Sequence, residues 1–102
     1  MFRTLMLTTA LTMASPWALS QDIHLARNLA ATCANCHGTN GRVQGGDVKA
    51  LAGLPAARIT AAMSDFKSGA VPASIMHQIA KGYSDEQVRL IAGYFAAQQP
   101  GK

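Results

Sequence analysis

Apolar residues recur at helical spacing through the middle of the chain. Ile59, Met63 and Phe66 follow one another at intervals of four and three, which places them on one face of a helix. Pro55 stands at a position suited to the first turn of that helix, and Gly69 at a position suited to its end. The pattern therefore predicts a helix with one buried face.

The C-terminal helix carries the clearest signals. Ser84 and Gln87 have the spacing of a capping box, in which each side chain binds the backbone N–H of the other residue. The two acidic residues that follow Ser84 lie in the first turn, where the helix dipole favours negative charge. The apolar positions form one row with two neighbours beside it: Val88, Ile91 and Phe95, with Leu90 and Tyr94.

The other segments of the chain are shorter or less regular. Residues 23–31 have a helical pattern, and a shorter segment over 74–81 follows the bend at Pro72. Glycines and turn-forming polar residues mark an irregular loop over 38–47. Because the sequence shows no strand pattern of useful length, it predicts an all-α domain of helices and loops.

Residues 1–20 have the layout of a secretory signal peptide. A positive charge near the start is followed by an apolar stretch and by a small-x-small pattern that ends at Ser20. The alternative is an uncleaved anchor, but the apolar stretch is shorter than the roughly 18–20 residues that a span needs, and Pro16 would interrupt it. We therefore expect export, cleavage after Ser20 and a mature domain over 21–102 without a stable membrane anchor.

Composition and charge narrow the classes of function. The chain has 102 residues, of which 49% are hydrophobic and 14% are charged, which allows one domain. The net charge is +4, but the basic residues are scattered singly, which argues against nucleic-acid binding. Two cysteines exclude a multi-disulfide scaffold. A mature chain of this size buries only a marginal core alone, so we expect something besides side chains to help fill its centre.

Both cysteines belong to the motif Cys33-Ala34-Asn35-Cys36-His37. A thioredoxin-type dithiol would follow a strand, whereas the preceding segment has a helical pattern. A structural zinc site needs four ligands, and the chain has no second cysteine pair. A disulfide at this spacing would close only a very small loop. The remaining interpretation is covalent attachment of haem c, of which Cys-x-x-Cys-His is the signature.

Each part of the motif has a role in haem attachment. The thiols of Cys33 and Cys36 add to two haem vinyl groups, and one helical turn places both sulfurs on the same edge of the macrocycle. His37 is then the proximal iron ligand. A backbone carbonyl of the following loop can orient its Nδ1–H. We expect one haem, attached in an oxidising, exported compartment.

The distal side of the iron has several candidate ligands. Met63 lies on the apolar face of a predicted helix, where methionine usually fills the core, and His24 is close to the mature N-terminus. Met76 follows the bend at Pro72 and can return over the other haem face, whereas its neighbour His77 would point elsewhere. Met76 is favoured, with His77 and an open site as the alternatives.

With these motifs in place, residues 31–41 and 74–98 resemble a class I c-type cytochrome of the small bacterial kind. The run Phe66-Lys67-Ser68-Gly69 and the run Ser74-Ile75-Met76-His77-Gln78-Ile79-Ala80-Lys81-Gly82-Tyr83-Ser84 are more particular. They are similar to the haem subunit of flavocytochrome c sulfide dehydrogenase. The resemblance implies a small cytochrome c-like fold, with helices and loops wrapped around one covalently bound haem.

The resemblance also implies site residues and shows two departures. It implies thioether bonds at Cys33 and Cys36 and iron ligation by His37 and Met76. The better-known members carry two haem domains, whereas this chain has one motif. Many members also have Pro near Lys49, a change that leaves the site intact because any residue offers a backbone carbonyl.

The function implied by the resemblance is one-electron transfer in the periplasm, without catalysis by this chain alone. The expected partner is the flavoprotein subunit of a sulfide dehydrogenase or another redox protein. A dinucleotide fingerprint is missing from the sequence, so sulfide oxidation would occur in another chain. The alternatives are a free-standing shuttle to a terminal oxidase or other redox enzyme, and a gas-binding haem sensor. Three lysines are candidates for steering an acidic partner: Lys49, Lys67 and Lys81.

Overall fold

The computed structural model describes residues 17–43 and 45–101, with side chains described from residue 24 onward. Helices account for the regular structure of this part of the chain, which contains no strand: α1 (Trp17–Ala31), α2 (Ala34–His37), α3 (Ala56–Ser68), α4 (Met76–Lys81) and α5 (Asp85–Ala96), with one 3-10 turn over Thr39–Gly41. The predicted all-α fold is confirmed. Most of the predicted signal peptide lies outside the described residues, and cleavage after Ser20 stays a prediction.

Helix α3 has the predicted apolar face but begins one residue later than predicted. Pro55 precedes the helix with φ −55° and ψ 134°, and its carbonyl accepts a hydrogen bond from the amide of Arg58 at 2.9 Å. The ring of proline fixes φ near the helical value but leaves ψ free, so proline suits this flanking position as well as the first turn. Ile59 and Met63 are buried, and Gly69 ends the helix in the left-handed conformation with φ 82°.

Helix α5 has the predicted capping box. The Ser84 Oγ accepts a hydrogen bond from the Gln87 amide at 3.1 Å, and the Gln87 Oε1 accepts one from the Ser84 amide at 2.9 Å. Helix α4 is shorter than the predicted segment, because Ile75 has a non-helical φ of −139° and its carbonyl accepts the first helical hydrogen bonds. Met76 is therefore the first residue of α4.

The helices meet around one buried cluster. Helix α1 packs against α5, and α3 packs against both α4 and α5. Phe95 is 1% exposed and is the largest fully buried side chain of the described residues. Cys33 and Met76 are half-buried and pack against this cluster. Its members are Ala30, Ile59, Met63, Ala80, Val88, Ile91, Ala92 and Phe95.

The loop after α2 is held against α5 at Gly41. The carbonyl of this buried glycine accepts hydrogen bonds from the amides of Leu51 at 2.9 Å and Ala52 at 3.2 Å. Its φ is 77°, and a Cβ added to it would lie 2.9 Å from the Cδ1 of Phe95. Only glycine combines this backbone conformation with such a close approach. Within the described ranges, no helix is both long and apolar enough to cross a membrane.

Candidate functional site

The motif Cys33–His37 folds as a single helical turn. The carbonyl of Cys33 accepts hydrogen bonds from the amides of Cys36 at 3.3 Å and His37 at 2.9 Å. Both cysteines are free thiols; Cys33 is half-buried and Cys36 is exposed. The turn therefore presents two unpaired thiols and one imidazole within five consecutive residues.

The two thiols have different surroundings. Burial raises the pKa of the Cys33 thiol, hydrogen bonds from the Thr32 side chain and the Cys33 backbone partly offset this effect, and the neighbouring Cys36 adds slightly to it. Desolvation disfavours a thiolate, so at neutral pH Cys33 is held as the neutral thiol. The chain thus keeps this sulfur protonated before any bond to it forms.

The imidazole of His37 is oriented by the loop that follows it. Its Nδ1 lies 2.7 Å from the carbonyl oxygen of Lys49. A carbonyl only accepts hydrogen bonds, so Nδ1 carries the proton and donates it. In the neutral imidazole, which carries a single N–H, Nε2 is then the nitrogen with a free lone pair, as a metal-ligating histidine requires. The backbone carbonyl that the sequence predicts for this role belongs to Lys49.

Two long-range contacts fix the turn after His37 to the C-terminal part of the chain. Asn40 has a left-handed φ of 56°, and its Oδ1 accepts a hydrogen bond from the hydroxyl of Tyr94 at 2.6 Å. The Nε of Arg42 donates to the carbonyl of Gln99 at 2.7 Å. These contacts hold the loop beside α5. Sequence reasoning missed them because partners separated by 54 and 57 positions leave no local pattern.

The candidate distal ligands occupy different environments. Met63 is 9% exposed and belongs to the core, which fits the expected role of core filling. His24 is exposed on α1. Met76 and His77 occupy the first turn of α4, and both are half-buried. The Nδ1 of His77 is buried and has no hydrogen-bond partner among the described residues.

Tyr83 connects α4 to the residue before the motif. Its hydroxyl lies 2.8 Å from the Oγ1 of Thr32, and its carbonyl accepts a hydrogen bond from the Nζ of Lys67 at 2.7 Å. The ammonium group of Lys67 also lies 3.9 Å from the carboxylate of Asp85. Lys67 is thus committed to a structural contact, in contrast to Lys49 and Lys81, which are exposed.

The donors present fit a covalently attached haem better than a structural metal ion. Across the described part of the chain, no group of three or more His, Cys, Asp or Glu residues is placed to hold a metal. The motif instead offers two thiols on one turn and an imidazole with Nε2 available. A thioether side chain, Met76, packs against the same core as Cys33. This donor set suits c-type haem, which takes two cysteine bonds and axial nitrogen or sulfur ligands.

Comparison with known proteins points in the same direction. The chain is 39% identical over 67 residues to the cytochrome subunit of sulfide dehydrogenase from Chlorobaculum tepidum. The aligned part covers 66% of this chain and 60% of that protein, so the chain spans less than two thirds of the length of this relative. No protein-family model matches the chain. The resemblance identified from the sequence is confirmed, and the all-helical fold agrees with a small cytochrome c-like fold.

Proposed function

We propose that residues 21–102 form a periplasmic cytochrome that carries one covalently attached haem c and transfers one electron at a time. Cys33 and Cys36 would hold the haem through thioether bonds, and His37 and Met76 would ligate its iron. The observation that carries this proposal is the motif turn itself, in which the His37 Nδ1 is held by the carbonyl of Lys49 and Nε2 is left for a metal. Support comes from the cytochrome relative.

The haem supplies the one-electron chemistry, and the residues of this chain set its conditions. The Lys49 carbonyl fixes the orientation of the His37 ring and makes the imidazole a better electron donor. Methionine ligation raises the reduction potential because it favours the ferrous state. Together, His37 and Met76 would hold the iron without leaving room on it for a substrate, and the haem would then supply electron exchange alone.

The hydrogen bonds and the packing of the surrounding fold support this role. The loop after His37 is bound to α5 through Asn40 and Tyr94, and to Leu51 and Ala52 through the carbonyl of Gly41. Helix α4, which begins with Met76, packs against α3. Ligands held on braced elements keep their geometry, which is what a site needs to change oxidation state without rearranging.

We further propose a flavoprotein as the physiological electron donor. The relative is named a subunit of sulfide dehydrogenase, and this chain spans 60% of its length. In such an assembly, sulfide would be oxidised at a flavin in another chain, and electrons would pass singly to the haem of this one. Two exposed lysines, Lys49 and Lys81, are available to an acidic partner surface.

Native purification tests the proposal and separates its variants. Haem and flavin absorbance are followed together across a sizing column. Joint elution, well above the size of the mature chain, supports a subunit of a flavin-containing dehydrogenase. Haem that elutes alone on a small protein contradicts a stable complex with a flavoprotein and identifies a free-standing shuttle.

Carbon monoxide binding by the reduced protein at neutral pH would contradict stable Met76 ligation and indicate a gas-binding site.

A further inference from the structure

Tyr83 joins three elements that lie far apart in the sequence. Its hydroxyl meets Thr32, 51 positions earlier in the chain, and its main-chain carbonyl binds the ammonium group of Lys67, 16 positions earlier. We call these three residues the Tyr83 bridge. The bridge connects the end of α1, the last turn of α3 and the turn between α4 and α5.

The hydroxyl groups of Thr32 and Tyr83 share one hydrogen bond across 2.8 Å, whichever of them donates it. The Oγ1 of Thr32 also lies 3.2 Å from the carbonyl oxygen of Leu29. Removal of the phenol oxygen thus deletes one identified long-range hydrogen bond, while the main-chain bond from Lys67 to Tyr83 remains.

The Tyr83 bridge connects the two segments that carry the proposed haem-binding residues, the motif turn and α4. Thr32 immediately precedes Cys33, whereas Tyr83 follows α4, whose first residue is Met76. The amide of Tyr83 donates to the carbonyl of Ala80, a fully buried residue of α4. Tyr83 is therefore continuous with the packed end of α4, and a shift of this helix relative to the motif turn strains the bond to Thr32.

We propose that Tyr83 is a positioning residue for the distal iron ligand. Its bond to Thr32 fixes α4 relative to the motif turn and so keeps the sulfur of Met76 on the iron. This inference rests on the proposed function, since it assumes haem on Cys33 and Cys36. Methionine ligation favours ferrous over ferric iron, so a loosened α4 weakens Met76 ligation first in the oxidised protein.

Imidazole binding to the oxidised holoprotein measures how firmly Met76 is held. Imidazole competes with the thioether for the iron, and the far-red charge-transfer band of methionine-bound ferric haem disappears as it binds. We expect Tyr83→Phe to raise the imidazole affinity about fivefold, the size of one lost hydrogen bond. Thr32→Val removes the other hydroxyl of the same hydrogen bond and has the same expected effect, so it carries the test if Tyr83→Phe does not accumulate.

Thr60 provides a matched control for Thr32. Each threonine donates to a carbonyl three residues earlier, Thr60 to Ala57 at 3.0 Å and Thr32 to Leu29, but only Thr32 also meets Tyr83. Thr60→Val therefore keeps the wild-type imidazole affinity. Tyr83→Phe and Thr32→Val each remove the same hydrogen bond. The double variant Tyr83→Phe/Thr32→Val therefore binds imidazole no more tightly than either single variant.

Each other outcome overturns a distinguishable claim. An unchanged imidazole affinity in Tyr83→Phe and Thr32→Val overturns the positioning role of Tyr83. An equal increase of the imidazole affinity in Thr60→Val overturns this role too, because such an increase marks a general loss of stability. A wild-type protein that lacks covalent haem, or that carries it without the methionine charge-transfer band, contradicts the proposed function instead.

Discussion

The Nδ1 of His37 donates a hydrogen bond to the main-chain carbonyl of Lys49 across 2.7 Å. The acceptor belongs to the backbone, so the bond does not depend on which side chain stands at position 49. It does depend on the path of the loop, which the carbonyl of Gly41 fixes by binding the amides of Leu51 and Ala52. His37 is thus oriented by loop conformation rather than by a second side chain.

Substitution of Lys49 by alanine therefore leaves the orientation of the His37 ring unchanged. We expect Lys49→Ala to keep the haem content and the absorption spectra of both oxidation states, because the carbonyl that holds His37 remains. Lys81→Ala is the matched control, since it also removes one exposed lysine. Spectra that change in Lys49→Ala but not in Lys81→Ala would show that the Lys49 side chain acts on the site.

The raised pKa of Cys33 predicts slow alkylation of the chain before haem attachment. The thiolate is the reactive form. Because burial raises the pKa of Cys33, the thiolate forms at a higher pH in the folded state. The pH at which iodoacetamide labels Cys33 half-maximally is therefore higher in buffer than in denaturant, as peptide-level mass spectrometry can measure. Equal midpoints in the two conditions would contradict the desolvation of Cys33.

Met76 and Met63 are expected to respond differently to substitution. Met76→Ala opens the distal position, so the reduced protein binds carbon monoxide at neutral pH, which difference spectra detect.

Met63 is a core residue with 9% exposure, so Met63→Ala lowers the free energy of unfolding by about 2–5 kcal/mol. Methionine ligation survives in Met63→Ala. Loss of the methionine charge-transfer band in Met63→Ala alone would assign the ligand to Met63.

Two glycines give opposite predictions for stability. A Cβ at Gly41 would lie 2.8 Å from the Ala52 amide nitrogen and 2.9 Å from the Phe95 Cδ1, and φ is 77°. Gly41→Ala therefore lowers the free energy of unfolding by about 2 kcal/mol or more.

Gly93 lies within α5, is exposed, and has nothing within 4 Å of an added Cβ. Gly93→Ala stabilises the protein by up to about 1 kcal/mol.

Denaturant unfolding of both glycine variants in the holoprotein provides the comparison. A neutral Gly41→Ala would mean that the loop after His37 shifts away from Phe95 at little cost. A destabilising Gly93→Ala would show that the exposed face of α5 has a partner that restricts it.

The features that sequence alone predicts are those coded locally. The capping box of Ser84 and Gln87 and the apolar face of Ile59 and Met63 follow from spacings of three and four residues, and the structure has both. Similarly, the helical turn of the motif needs only consecutive residues. Helical periodicity and capping are short-range effects, so a single sequence carries them in full.

The features that sequence analysis misses depend on tertiary packing. Lys67 has the pattern of a surface lysine and a candidate for steering, but its ammonium group binds the carbonyl of Tyr83. Gly41 has the pattern of an ordinary loop glycine, but it lies against Phe95. The contact between Thr32 and Tyr83 spans 51 positions. Such pairings are set by how the helices cross, which no local pattern encodes.

The mass of the intact purified protein is the most direct test of covalent haem attachment to this chain. Electrospray mass spectrometry under denaturing conditions, after acid–acetone extraction, retains only haem that is covalently bound. We expect one species, the chain that begins at Gln21 plus one haem, and the loss of that haem when Cys33 and Cys36 are both replaced by serine. A wild-type protein with the mass of the polypeptide alone, or haem that extracts into the solvent, would contradict covalent attachment through Cys33 and Cys36.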